Sequence, residues 1–217
     1  MVTTANDFSG LFGPARNQYD RPTCLAFAMS DAHAHAKNFL PKFLSPEYVF
    51  YHAALRMPTN AYWGGASFDA MADALTAEGQ PPEIDCPYTI DLMSDDPLPL
   101  PILPVGCTVR FASSQSVVES FAYLVDRLTN SQPLVLVLRI TAGFQRAQGD
   151  NPIIQYIDGA LERGLHAVVA VGIGFDKNGF PCFKVRNSWG MGWGSEGYAW
   201  LHRSYIDHHL DSIVTVQ

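Results

Sequence analysis

A thiol, an imidazole and two carboxamides are strung along this chain of 217 residues in the order Gln18, Cys24, His166, Asn187. Cys24 opens a segment of helical texture, where free backbone N–H groups and the helix macrodipole favour an anion. A thiol so placed, with a histidine nearby, can have its pKa lowered to roughly 3.5–7.5 and act as a nucleophile at neutral pH. Taken singly, each residue has a plainer account. A free cysteine is commonly a small buried hydrophobe. A histidine within His166-Ala167-Val168-Val169-Ala170-Val171-Gly172 can be a satisfied core residue, and Gln18 and Asn187 alone are ordinary surface amides.

Their surroundings carry more information. Cys24 lies in Asn17-Gln18-Tyr19-Asp20-Arg21-Pro22-Thr23-Cys24-Leu25-Ala26-Phe27-Ala28, with Gln18 six positions before it. His166 follows Gly164-Leu165, and Asn187 stands in Val185-Arg186-Asn187-Ser188-Trp189-Gly190-Met191-Gly192-Trp193-Gly194. In this order the sequence resembles the papain-like cysteine peptidases, whose Gln, Cys, His and Asn follow one another with the Asn inside an N-S-W-G-x-G-W-G run. His166 comes 142 positions after Cys24, within the span of about 130–150 usual for that family, and Asn187, at 163, slightly exceeds it. Trp63-Gly64-Gly65, the helix after it, and Asp85-Cys86-Pro87-Tyr88 look like the family's Gly-Gly substrate-binding turn, following helix and Y-P-Y segment. The resemblance covers about Asn17 to Tyr205; its NSWG run is the most specific part and the Cys24 region the most divergent.

The resemblance implies roles. Cys24 would attack the scissile carbonyl, and His166 would be its ion-pair partner and the proton donor to the leaving amine. Asn187 would orient the imidazole, and Gln18 would join the Cys24 backbone N–H as an oxyanion donor. Trp189 would shield the Asn-His contact from water. The backbones of Gly65, in the turn with Gly64, and of Leu165 would pair with an extended peptide. Ala66, Ser67 and Ala167 fall where the family builds its main specificity pocket, and small residues there leave room for a bulky apolar side chain. The implied activity is hydrolysis of peptide or isopeptide bonds through an acyl-enzyme. The alternatives are acyl transfer of transglutaminase type by the same site, or a catalytically silent peptide-binding module.

Three departures from the family pattern shape the expectations. Secreted relatives carry a second cysteine three residues before the nucleophile, where this chain has Arg21, so Cys86 lacks its usual partner. Cys86, Cys107 and Cys182 then read as free buried thiols, with a Cys86 to Cys107 bond left open. Leu25 replaces an aromatic after the nucleophile, which alters packing and removes no catalytic atom. No inhibitory propeptide stands before Cys24 in the sequence, which leads one to expect a regulatory partner, a narrow substrate range or a flanking domain as the restraint. Among the remaining histidines, His33 and His35 point in different directions on a helix, and His208 and His209 are adjacent. Helix-face solvation is the expectation for them, with no metal and no cofactor.

Elements must bring these residues together. A helix is expected from Cys24 to Asn38, with Leu25, Ala28, Ala32 and Ala36 on one stripe. A second should follow the Ser45-Pro46-Glu47 start and run to about Arg56, and a third should run from a Ser67 cap to Glu78, ending at Gly79. Asp96 to Gly106 holds four prolines in eleven positions and reads as an extended crossing segment. Next comes a helix from Ser116 to about Asn130, with Ser116 and Glu119 as a capping box. Beyond it the texture turns to strands: PLVLVLRIT, HAVVAVGIGF, PCFKVRNSW, GYAWLHRSY and DSIVTV. The expected fold is α+β and two-lobed, one domain over 1–217. It has a helical lobe at about 10–110 and an antiparallel sheet or β-barrel-like lobe at 111–217, with the site in the cleft between them.

Composition narrows the partners. With 47% hydrophobic residues, 16% charged residues and a net charge of −7, the chain is globular and mildly acidic, without a basic cluster. Nucleic acid and anionic membrane surfaces are therefore poor partners, and a peptide or protein is the expected substrate. The longest apolar run, nine residues from Ala167 to Phe175, falls far short of the ~20 that span a bilayer. The first ten residues read as no signal peptide, and four cysteines make no disulfide framework. The expected setting is the cytoplasm or, for a translocated effector, a reducing host compartment.

Overall fold

The computed structural model describes residues 1–58, 64–90, 98–117 and 120–217. Strand β1 (Thr3–Asp7) is followed, after a short 3-10 turn, by helices α1 (Cys24–Ala36), α2 (Pro46–Ala54) and α3 (Phe68–Ala77). Their starts are those the sequence marks. Ser45 Oγ accepts from the Tyr48 N–H and Ser67 Oγ from the Ala70 N–H, so two of the three helices carry a side-chain N-cap. Gly79 closes α3 at φ +66, where an added Cβ would collide with the Arg110 carbonyl.

Helix α1 departs from the single-stripe expectation. Every residue from Ala26 to Ala34 is buried, because the helix packs against β3, β5 and β8 of the sheet as well as against α2. Its many alanines let it approach on all sides. His33 is accordingly buried, with Nδ1 bonded to Gln80 Oε1 at 2.7 Å, and His35 sits between the rings of Phe8 and Phe12. The solvated-face reading fails for both, and for the buried His209; among these four only His208 is exposed.

The rest of the chain builds a sheet. It comprises β2 (Ser114–Val117), α4 (Phe121–Thr129), β3 (Leu134–Thr141), α5 (Ala142–Gln145), β4 (Ile153–Ile154), β5 (Glu162–Phe175), β6 (Pro181–Arg186), β7 (Tyr198–His202), α6 (Arg203–His209) and β8 (Leu210–Val216). Strand order is β2-β8-β3-β5-β6-β7-β4, with β1 also on β5; β4 joins β7 in parallel and the other pairs are antiparallel. The path does not close into a barrel, since its two ends are the short strands β2 and β4, so the plain-sheet expectation is the one realised. The capping box is a correction: Ser116 lies in β2, Glu119 falls outside the described residues, and α4 begins one residue after Ser120, whose Oγ accepts from the Tyr123 N–H. Leu98 to Gly106 forms neither helix nor strand, as its prolines require, while Asp96 lies outside the described residues. Strands β1 and β4 and helices α5 and α6 carried no signal strong enough to expect them.

Candidate active site

Strand β5 is long because it has two jobs. From His166 to Gly174 it is buried, with partners on both sides from Val169 onward, whereas Glu162 to Leu165 project from the core and are exposed. His166 is thus the first buried residue of the strand, opposite Leu138 of β3. Asn187 follows the last residue of β6, its N–H held by the Gly197 carbonyl at 2.9 Å. The two side chains meet: His166 Nε2 lies 2.7 Å from Asn187 Oδ1.

That contact fixes protons. Asn187 Oδ1 also accepts the Ser188 N–H at 2.8 Å, which only an oxygen can do, so the carboxamide orientation is determined by its neighbours. Nε2 must then carry the hydrogen, and Nδ1 of the neutral ring keeps its lone pair for a proton arriving from elsewhere. The ring is clamped by aromatics: Trp189 lies 4.4 Å away, and Phe144 meets both His166 and Trp189 edge-on at 5.9 and 5.7 Å. Burial pushes the imidazole pKa down to about 4 against the opposing Asn187 hydrogen bond. Asn187 Nδ2 is buried with no partner among the described residues.

Cys24 occupies the first position of α1, half-buried. The N-cap hydroxyl of Thr23 does not cap the helix and instead bonds the Tyr88 hydroxyl at 2.8 Å. The first-turn amides stay available, and the N–H groups of Ala167, Leu25 and Cys24 face the sulfur and favour the thiolate. Burial outweighs them and pushes the thiol up. The lowered thiol pKa expected from the helix start is therefore not that of the isolated group; desolvation prevails over the dipole.

Gln18 is buried beside this wall. Its Nε2 donates to the Arg21 carbonyl at 2.8 Å, its Oε1 accepts from Ser188 Oγ at 2.6 Å, and its N–H donates to the Ser188 carbonyl at 2.8 Å. The other Nε2 hydrogen has no partner among the described residues. Ser188 thus touches both carboxamides, a link that the sequence reading missed although the residue stands inside the NSWG run. Arg21, at the position where the resemblance led one to expect a cysteine, is buried: its guanidinium grips the Glu47 carboxylate through both terminal nitrogens and the Thr89 carbonyl at 2.7 Å, with its charge over the Tyr88 ring at 4.7 Å. All four cysteines are free, and Cys107 is half-buried where a buried thiol was expected.

Cys24 and His166 line one cleft of about 340 Å³, together with Gly64, Gly65, Ala66, Ser67, Leu165 and Ala167. The structure therefore gathers every residue expected on the substrate side except Trp189, which packs behind His166, and Trp63, which lies outside the described residues. Gly65 has φ +84 and comes close to the Pro22 carbonyl, a conformation that favours glycine. At Leu165, 59% exposed, β5 pairs with β3 on one edge only, because β6 begins its pairing at Val169. An edge of backbone is thus open beside the thiol. Phe68, Val137, Asp211 and Ser212 also line the cleft and were not anticipated; Asp211 is held by Arg139 at 2.6 Å.

Solved structures share this architecture. Xylellain, a cysteine protease from Xylella fastidiosa, superposes with a TM-score of 0.78 at 21% identity, covering 100% of this chain and 87% of its own. The Carica candamarcensis cysteine protease CMS1MS2, in complex with E-64, gives 0.70 at 20% identity, covering 96% and 94%. At such identities the likeness is one of fold, and it defines a papain-like α+β architecture. The model of the papain family cysteine proteases matches residues 104–214, just over half of the sequence. The chain belongs to that family. Among curated proteins, cathepsin B-like CP2 of Giardia intestinalis is 32% identical over 88 residues, and cathepsin C of Schistosoma mansoni 59% over 49 residues. These stretches cover 41% and 22% of this chain and only 28% and 11% of the two relatives.

Proposed function

We propose that this chain hydrolyses peptide or isopeptide bonds as a cysteine peptidase, with Cys24 as nucleophile, His166 as base and acid, Asn187 as its orienting partner and Gln18 as oxyanion donor. The observation that carries this reading is the His166 Nε2 to Asn187 Oδ1 contact at 2.7 Å, which leaves Nδ1 unprotonated in the cleft that holds Cys24. Each charge alone is disfavoured by burial there. Moving the sulfur proton to Nδ1 creates both charges together and lets each offset the desolvation of the other.

The thiolate adds to the scissile carbonyl, and the oxyanion is met by the Cys24 N–H and the free Nε2 hydrogen of Gln18. The His166 imidazolium gives its proton to the departing amine, leaving a thioester on Cys24. Water then gives a proton to Nδ1 as it attacks the thioester; the acid leaves and the thiol is restored. An extended peptide would pair with the open edge at Leu165 on one side and with Gly65 on the other. Ala66, Ser67 and Ala167 would admit a bulky apolar side chain, with Phe68 and Leu25 beside them. A peptide library showing no preference for such a residue at the second position before the cut would remove that part.

An epoxysuccinyl inhibitor should label the wild-type protein once, at Cys24, and Cys24→Ala should lose labelling and at least about 10⁴-fold in peptide turnover. Labelling that does not depend on Cys24 would sink the peptidase reading. Incorporation of an added amine into the product would indicate acyl transfer instead. No helix among the described residues is long and apolar enough to cross a membrane. We place the protein in a reducing compartment, a reading supported by its four free thiols. We also keep the division near residue 110 and a regulatory partner or flanking domain as its restraint.

A further inference from the structure

Three of the four segments that bear the site residues converge on one buried ion network away from the cleft. Asp31 lies two turns after Cys24 on α1. Its Oδ1 is 2.7 Å from Arg16 Nη2 and its Oδ2 is 2.7 Å from Arg186 Nε. Arg16 stands two residues before Gln18, and Arg186 immediately before Asn187. Arg186 is among the most deeply buried large side chains; it also donates to the carbonyls of Gly13 and Pro14 and to the Tyr198 hydroxyl, at 2.7–2.8 Å. Glu83 pairs with Arg16 at 3.0 Å, so the four charges cancel. Burial alone would raise the Asp31 carboxyl, yet Arg186 and Arg16 hold it below the usual carboxylate range.

A network that served stability alone could sit anywhere in the core. This one ties the helix that begins with Cys24 to the residue adjoining Asn187 and to the segment entering Gln18. We propose that Asp31 and Arg186 are positioning residues, which set the distance between the wall carrying Cys24 and the wall carrying His166 and Asn187. The rigid fork of Arg186 fits this task, because its Nε and both terminal nitrogens are fixed in one plane and are all engaged. Displacement of a catalytic group by about 1 Å is enough to cost on the order of 10²-fold in rate.

This inference rests on the peptidase reading, and the wild type is therefore tested first: without Cys24-dependent labelling by an epoxysuccinyl inhibitor, that reading fails on its own account. Given a labelled wild type, Asp31→Asn should lower kcat on a peptide amide about 100-fold with KM within about threefold. Arg186→Lys keeps a cation opposite Asp31 but loses the fork, so it should fold and lower kcat about tenfold. It decides the matter should Asp31→Asn not fold. Both rates are taken well below the melting transition. Loss of stability alone would leave kcat of the folded fraction unchanged. A folded variant, Asp31→Asn or Arg186→Lys, that turns over at the wild-type rate overturns the proposal.

Discussion

The two walls of the cleft are held by different physics. On the sheet side, His166 and Asn187 are placed by strand register and by a packed aromatic group of Trp189, Phe144 and Trp193. On the helix side, Cys24 and Gln18 are placed by discrete polar contacts: Arg21 with Glu47 and Thr89, Thr23 with Tyr88, and Gln18 with Ser188. The family model matches 104–214, which contains His166 and Asn187 and excludes Cys24 and Gln18. Register and aromatic packing tolerate little change, because a one-residue slip turns every side chain to the other face. Polar clamps can be replaced piece by piece, and at Arg21 this chain sets a guanidinium against a carboxylate.

The comparison can be broken most forcefully at Glu47. Glu47→Ala leaves Arg21 buried and uncompensated, and should cost about 3–5 kcal/mol in unfolding free energy. Chemical denaturation of the variant would read this, and a cost under about 1 kcal/mol would mean that the helix wall does not depend on the pair. Next in size is Gln18→Ala, expected to lower kcat about 10²–10³-fold, or about 2.7–4 kcal/mol, with KM little changed. A rise in KM at constant kcat would instead assign Gln18 to ground-state binding. The smallest effect concerns pH. The pKa of His33 is pushed down to about 4 by burial, so the unfolded chain takes up the proton first as pH falls. His33 should therefore contribute a decline in stability of on the order of 2–3 kcal/mol between about pH 6.5 and about pH 4, beside a similar share from His166, whose pKa is also pushed down to about 4. His33→Gln should remove its share and make the slope shallower; an unchanged slope would assign it to other groups.

Legibility in the sequence follows the same divide. Helices α2 and α3 are read from Ser45, Pro46 and Ser67 because capping is a local interaction. The NSWG run discloses Asn187 and Trp189, and the apolar run from Ala167 discloses β5. What escapes is set by distant partners. Arg21 gives no sign in the sequence that it will meet Glu47, 26 positions on, nor Asp31 that it will meet Arg186, 155 positions on. His33 and His35 look like solvated residues until Gln80, Phe8 and Phe12 are laid against α1. Ser116 and Glu119 make a plausible capping box, yet strand pairing with Val214 claims Ser116, and the helix starts after the next available cap, Ser120. Tertiary pairing overrides a local signal there.

Fastening this wall with the Arg21 clamp and no covalent bridge also changes what the unfolded chain can do. A disulfide restrains the denatured ensemble as well as the native one, whereas an ion pair vanishes when its two elements separate. With all four thiols free, an unfolded molecule is a single linear thread. It can be drawn end-first through a channel too narrow for any looped chain, and it needs no oxidant on the far side to regain its fold.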